Sequence, residues 1–304
     1  MNKRVLEIRN LSKNYKNIKA VSELSLQVNE KMVYGILGPN GSGKTTTLGM
    51  LLGVVNQNKG SYSWFENGNK DENRKRIGSL LETPNFYPYL TAEQNLEITA
   101  KIKEIDGVSS EIDKVLKMVD LYKRRDSKFK TFSLGMKQRL AIASALLGEP
   151  EVLVLDEPTN GLDPQGIAEI RDLIIDIGKK GKTIIIASHI LDEIEKVCTH
   201  CAILKNGKLL RTGTIEEIIG NQESTLVKIG AEDKMLLEEI VNSNPEMSIY
   251  KQTAENDLMI ISVSKNTKSD QINRYFFDKG IVLNQLDVYN ESLENQFLDI
   301  IRES

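Results

Sequence analysis

The chain has 304 residues, of which 40% are hydrophobic and 27% charged, with a formal charge of −3. That length suits two domains of roughly 100–200 residues, and the charge lacks the basic bias of a nucleic-acid binder, so no nucleic-acid partner is expected. No apolar run approaches the roughly 18 residues that cross a bilayer, and Met1-Asn2-Lys3-Arg4-Val5-Leu6-Glu7 lacks the apolar segment of a secretory signal, so a cytoplasmic chain is expected.

Residues 3–28 predict short strands, with Leu24, Leu26 and Val28 alternating with polar neighbours. Between the strands a polar loop is expected at Leu11-Ser12-Lys13-Asn14-Tyr15, where Tyr15 is free to stack on a base. The apolar run Met32–Leu37 then reads as a buried strand. It leads into Gly38-Pro39-Asn40-Gly41-Ser42-Gly43-Lys44-Thr45-Thr46, which fits the phosphate-loop pattern G-x-x-x-x-G-K-[ST]. Helical spacing of Leu48, Leu51 and Leu52 follows. Glycines let successive backbone N–H groups turn toward phosphate oxygens, and the helix start adds its free N–H groups. Lys44 supplies a point charge for the β- and γ-phosphates, and Thr45 a hydroxyl for Mg²⁺.

Residues 60–82 predict a β-rich section with Trp64 packed inside and a turn at Asn67-Gly68-Asn69; Glu82-Thr83-Pro84 then opens a loop. From Thr91 the chain reads as helical, with Thr91 and Gln94 spaced as a capping box. Stripes at Leu96, Ile98, Ile102 and Ile105 and at Ile112, Val115, Leu116 and Val119 predict two helices, and Ser133 can cap a third. The basic stretch Tyr122–Lys130 reads as a solvated face, with partner contact as the alternative.

Val152-Leu153-Val154-Leu155-Asp156-Glu157 is a buried strand ending in two acids. Thr183–Ala187 is another, ending at Ser188-His189, and a helix marked by Ile167, Ile170, Ile174 and Ile177 lies between them. Strands alternating with helices predict an α/β fold with a mainly parallel sheet, whose carboxyl ends bind ligands. Cys198 and Cys201 flank His200 in a C-x-x-C spacing, but the chain has only 2 histidines and the pair follows a helix, so two ordinary reduced cysteines are expected. Beyond Gly220-Asn221-Gln222-Glu223-Ser224 the order strand, helix, strand, strand, helix, strand over residues 225–287 suggests a small ferredoxin-like α+β unit, closed by a last helix from Ser292 to Ile301.

The phosphate loop, Phe132-Ser133-Leu134-Gly135-Met136, Asp156-Glu157, Gly161-Leu162-Asp163 and His189 stand in one order that resembles the ATP-binding subunit of ABC transporters over about residues 3–220. The resemblance implies an ABC-type ATP-binding domain at 1–221, with a helical subdomain about 90–150, and an accessory domain at 222–304. It implies a Mg²⁺-dependent ATPase. Tyr15 would stack on adenine and Gly38 to Thr46 would hold phosphate. Asp156 would hold Mg²⁺ with Thr45, Glu157 would polarise the attacking water, and His189 would contact the γ-phosphate. Ser133 and Gly135 would cover the ATP of a second subunit and Asp163 would couple the two sites, so a homodimer is implied, docked on an ABC-2-like integral membrane permease at the inner face of the cell membrane.

Two departures stand out. The usual signature is Leu-Ser-Gly-Gly-Gln, and Glu82 replaces a glutamine near the metal site. Glu82, the following Pro84-Asn85-Phe86-Tyr87-Pro88, the single phosphate loop and the C-terminal extension resemble the bacitracin and lantibiotic self-protection exporters. A non-transport ABC ATPase acting on ribosomes or DNA is the alternative. Such chains usually carry two ATPase units or a long coiled coil, and this one has a single phosphate loop and no sustained heptads.

Overall fold

Continuous apolar runs with no polar alternation must be covered on both faces, and three of them form the middle of a sheet. In the computed structural model, which describes residues 3–65, 70–219, 224–252, 258–264, 267–289, 293, 297 and 300, every residue of β3 (Val33–Leu37), β6 (Val152–Asp156) and β7 (Thr183–Ser188) is buried. In chain order, β1 (Arg4–Tyr15) and β2 (Ile18–Asn29) precede β3. Then come α1 (Lys44–Leu51), β4 (Lys59–Trp64), α2 (Lys70–Lys75) and β5 (Ile77–Leu80), followed by the helices α3 (Ala92–Ile102), α4 (Val108–Met118) and α5 (Leu134–Leu146). After β6 come α6 (Pro164–Lys179), β7, α7 (Leu191–Val197), β8 (His200–Lys205), β9 (Lys208–Thr214) and α8 (Ile215–Ile219).

The six-stranded sheet has the order β5-β6-β7-β3-β8-β9. All its pairings are parallel except β8 with the edge strand β9. A separate antiparallel sheet, β2-β1-β4, shares one apolar core with α1 and the large sheet, through Leu6, Ile8, Leu24, Leu48, Met50 and Ile185 among others. Trp64 is buried in that core and donates its indole N–H to Leu51 O at 2.9 Å.

Three expectations need correction. Leu11–Tyr15 is not a loop: β1 runs unbroken to Tyr15, because Ser12 pairs with Lys59 and Lys13 with Val21, and only Lys16-Asn17 turn. The stretch 60–82 is not a single β section. β4 joins the antiparallel sheet, β5 joins the parallel one, and α2 lies between them; the expected turn at 67–69 lies outside the described residues. The basic stretch is not uniformly solvated either: Arg125 is tied to Glu93, Asp113 and Tyr122, which locks the helical segment together, whereas Lys123, Arg124, Lys128 and Lys130 are exposed. Thr91 and Gln94 do form a capping box on α3, and Ser133 accepts from Met136 N at the start of α5.

The described residues divide into two units, one mainly up to Ile215 and one over Glu216–Asp299. The second contains β10 (Ser224–Ala231), α9 (Lys234–Ser243), β11 (Met247–Gln252), β12 (Met259–Ser264), α10 (Ser269–Asp278) and β13 (Leu283–Tyr289). Its antiparallel sheet has the order β11-β12-β10-β13, and Val227, Ile229, Ile261, Leu237 and Phe276 are buried together in its core. Most of the last helix expected at 292–301, and the composition shift at 220–223, lie outside the described residues.

Candidate active site

The carboxyl ends of β3, β6 and β7 lie side by side, so the residues just beyond them are gathered together. Gly38 N donates to Ser188 O at 3.4 Å and Glu157 N to Ala187 O at 2.9 Å. The loop from Gly38 to Gly43 needs its glycines for different reasons. A Cβ on Gly38 would lie 2.3 Å from Leu204 O, so the site has no room for one. Gly43, at φ 100°, is the N-cap of α1 in the left-handed region, and a Cβ there would lie 2.3 Å from Ala20 O. Pro39, Asn40, Gly41 and Thr45 are exposed and Thr46 half-buried, so the loop and the first turn of α1 are open to solvent-borne ligands.

Lys44, 5% exposed, donates to Gly38 O at 2.8 Å and Pro39 O at 3.3 Å, and its Nζ lies 3.3 Å from Glu157 Oε1. The other carboxylate oxygen, Oε2, lies 2.8 Å from His189 Nδ1 and accepts from His189 N at 3.4 Å. Glu157 is therefore gripped at both oxygens. Its backbone sits at φ 46°, a conformation that costs a non-glycine residue about 1–2 kcal/mol. The neighbouring Asp156 is 1% exposed. Burial, chiefly, pushes its carboxyl above the usual range, aided by Glu157 and Glu82 and opposed by a hydrogen bond from Thr45 and by Lys44. Asp156 Oδ1 and Ser42 Oγ are buried with no hydrogen-bond partner among the described residues. Two partnerless oxygens beside the phosphate loop suit a cation and its phosphate ligand.

Glu82 follows the end of β5, exposed and at φ 56°, within electrostatic reach of Asp156. Tyr15 lies at the tip of the β1–β2 hairpin, 45% exposed, with Lys13 Nζ 5.0 Å from its ring centre; the returning strand of that hairpin carries the Ala20 carbonyl packed on Gly43.

Ser133, Gly135 and Asp163 form a second place. They line a groove of 760 Å³ with Arg124, Arg139 and Gly161, and its lining includes none of Lys44, Asp156, Glu157 or His189. Both α5 and α6 begin there, capped by Ser133 and Asp163, so two helix N-termini open on it. Arg139 is paired with Glu169 at 2.7 Å and donates to Val119 O at 3.1 Å. One chain thus carries a phosphate-loop cluster and, apart from it, a groove onto which the N-termini of α5 and α6 open.

Sequence reasoning missed the layer beneath the cluster. Glu193, on α7 and 7% exposed, accepts from Thr159 Oγ1 at 2.6 Å and from Ser188 Oγ at 3.3 Å. Cys198 and Cys201 are buried free thiols. Burial holds Cys198 well above the usual thiol range and pushes Cys201 up to about 12, which makes both unreactive. Among the described residues no group of three or more His, Cys, Asp or Glu is placed to hold a metal, and no helix is long and apolar enough to cross a membrane.

The family model for ABC transporters matches residues 21–160. The bacitracin transport ATP-binding protein BcrA of Bacillus licheniformis is 39% identical over 302 residues, covering 98% of this chain and 97% of that protein. Among solved structures, cbiO1 from Clostridium perfringens, described as part of the ABC transporter complex cbiONQ, is 29% identical with a TM-score of 0.65, over 71% of this chain and 90% of its own. The ATP-binding cassette MJ0796, described as dimeric, in a post-hydrolysis state and bound to ADP and Pi, is 27% identical with a TM-score of 0.61, over 69% and 99%.

Proposed function

The chain belongs to the ABC transporter ATP-binding family, and from that premise we propose that it works as a homodimer on an ABC-2-like membrane permease, driving transport of bacitracin- or lantibiotic-type peptides or related amphipathic compounds. It is an ATP-hydrolysing transport subunit. The observation that carries the dimer is the separation of the Lys44–Glu157–His189 cluster from the groove of Ser133 and Gly135. Each is half of a site, and a second copy turned by a two-fold axis completes both. The dimeric MJ0796 cassette supports the same reading.

In the closed dimer, the loop Gly38–Thr46 and the start of α1 hold the triphosphate of ATP, and Tyr15 stacks on its adenine. Lys44 exchanges the Gly38 and Pro39 carbonyls for the β- and γ-phosphates. Glu157, oriented at Oε2 by His189, accepts a hydrogen bond from the attacking water and places it in line with the γ-phosphorus. His189, once the nucleotide is bound, also faces the γ-phosphate. Ser133 and Gly135 of the opposite copy cap that phosphate, and Asp163 holds the turn between the two sites. Thr45, Asp156 and Glu82 would hold Mg²⁺, which when bound offsets the charge of the β- and γ-phosphates; the partnerless Asp156 Oδ1 fits that ligation.

The permease would dock beside Glu82. Thr83–Tyr87 and the helices α3 and α5 line a cleft of 390 Å³, at whose edge Tyr87 and Ile102 are exposed. The bacitracin name belongs to BcrA, and its likeness over nearly the full length of both chains supports a peptide cargo. Deleting the gene for this chain in its source cells is expected to raise bacitracin sensitivity, with recovery by the wild-type chain and none by Lys44→Ala. Unchanged sensitivity to bacitracin and to lantibiotics would contradict the cargo. The tagged chain should co-purify from detergent-solubilised membranes with a multi-span protein; recovery with ribosomes instead would contradict the transport reading.

A further inference from the structure

Glu193 is a buried acid with no part in the scheme above. Burial, first, and the charge of Glu157 push its carboxyl above the usual range, so retaining an acid here is costly. Its Oε1 is buried and partnerless among the described residues, while Oε2 collects both available donors.

Those donors come from two different pieces of the site. Thr159 begins the turn that runs through Gly161 to Asp163: Leu162 N donates back to Thr159 O at 3.2 Å, and Asp163 caps α6 by accepting from Gly166 N at 2.8 Å. Ser188 is the last residue of β7, next to His189, and its Oγ also accepts from Ile190 N at 3.0 Å, fixing the backbone on the far side of the histidine. Glu157 lies between these pieces. Asn160 N donates to its carbonyl at 3.1 Å, and His189 holds its carboxylate. One carboxylate oxygen therefore clamps the turn that reaches the groove to the strand end that carries the histidine.

We infer that Glu193 is a positioning residue that holds the turn Thr159–Asp163 and the Ser188–His189 strand end in one mutual geometry, so that Glu157 and the groove are aligned together. Its effect falls on the rate of hydrolysis more than on ATP capture, because its side-chain hydrogen bonds go to Thr159 and Ser188, and among the described residues the phosphate loop meets this layer only through the 3.4 Å bond from Gly38 N to Ser188 O. The inference rests on the proposed roles of Glu157 and His189. Glutamine is its conservative replacement: the amide oxygen accepts from Thr159 and Ser188 just as Oε2 does.

The test is steady-state phosphate release by the full-length chain with Mg²⁺–ATP, for wild type, Glu157→Gln, Glu193→Ala, Glu193→Gln, Thr159→Val and Thr159→Ser. Misalignment near the reacting atoms costs up to about 100-fold. Glu193→Ala is expected to lower kcat by about 10- to 100-fold with KM for ATP within about twofold of wild type. Glu193→Gln should recover most of that loss. Thr159→Val should reproduce it, Thr159→Ser should restore activity, and Glu193→Ala with Thr159→Val should be no worse than the former alone. If Glu193→Ala does not fold, the near-isosteric Thr159→Val and Thr159→Ser pair decides the matter. Wild-type kcat in Glu193→Ala and Thr159→Val, with Glu157→Gln inactive, would overturn this inference alone. Turnover insensitive to Glu157→Gln would overturn the reading of the site and this inference with it.

Discussion

Replacing His189 by alanine removes one of the two grips on the Glu157 carboxylate. The lost contact is the 2.8 Å pairing of Nδ1 with Oε2, while the Lys44 contact at 3.3 Å and the weaker backbone donation at 3.4 Å remain. A hydrogen bond to a charged group contributes about 1.5–3 kcal/mol. Expressed entirely in the hydrolytic step, that amounts to a fall in kcat of about 10- to 150-fold. The assay is phosphate release at saturating Mg²⁺–ATP, with KM measured alongside. His189→Ala is also to be combined with Glu157→Gln. Where the histidine works by orienting the glutamate, the double variant loses little beyond Glu157→Gln, because the group being oriented is already disabled. Losses that multiply would refute the orienting role and leave His189 acting through the γ-phosphate alone.

Other perturbations read different parts of the structure. Gly135 has room for a Cβ within the chain, its nearest neighbour being Leu162 Cδ2 at 4.0 Å, so Gly135→Ala and Gly135→Asp should both keep the melting temperature, and Gly135→Asp should lose hydrolysis by placing an anion in the groove. Cys201, 0% exposed with its thiol pushed up to about 12, should resist a disulfide-exchange reagent at pH 8 in the native state and react only on unfolding; rapid native labelling would contradict its burial. Lys103 donates to Ser144 O, Ala145 O and Leu147 O at the end of α5, and burial lowers its ammonium to about 8 from 10.5. A base with a lowered folded-state pKa binds fewer protons folded than unfolded between those values, so its contribution to stability rises with pH there. The stability of wild type relative to Lys103→Met should therefore increase from pH 8 to pH 10, and a difference independent of pH would contradict the burial of that charge.

The phosphate loop was legible in the sequence because its chemistry is local: glycines, lysine and threonine act within a few residues of one another. Asp156, Glu157 and His189 were legible for a different reason. Each stands at or just beyond the end of a buried, mainly apolar strand, and parallel strands present their carboxyl ends together. Thr159 and Glu193 were not legible, since 34 residues separate them, and Glu193 sits between Asp192 and Ile194 on a short helix where acids ordinarily face water. The helix α2, Lys-Asp-Glu-Asn-Arg-Lys, has no apolar period to betray it, and β9 is a half-exposed edge strand recognisable only once β8 supplies its partner. Leu11–Tyr15 illustrates the converse: a polar outer face looks like a loop until the flanking strands that satisfy its backbone are known.

The most direct test of the shared-site account is Mg²⁺-dependent ATP hydrolysis as a function of protein concentration, with Glu157→Gln beside wild type. Turnover should rise more than linearly with concentration, and Glu157→Gln should lose turnover while retaining ATP in a stable dimer resolved by gel filtration. A linear rate that is insensitive to Glu157→Gln would contradict both the dimer and the assignment of Glu157.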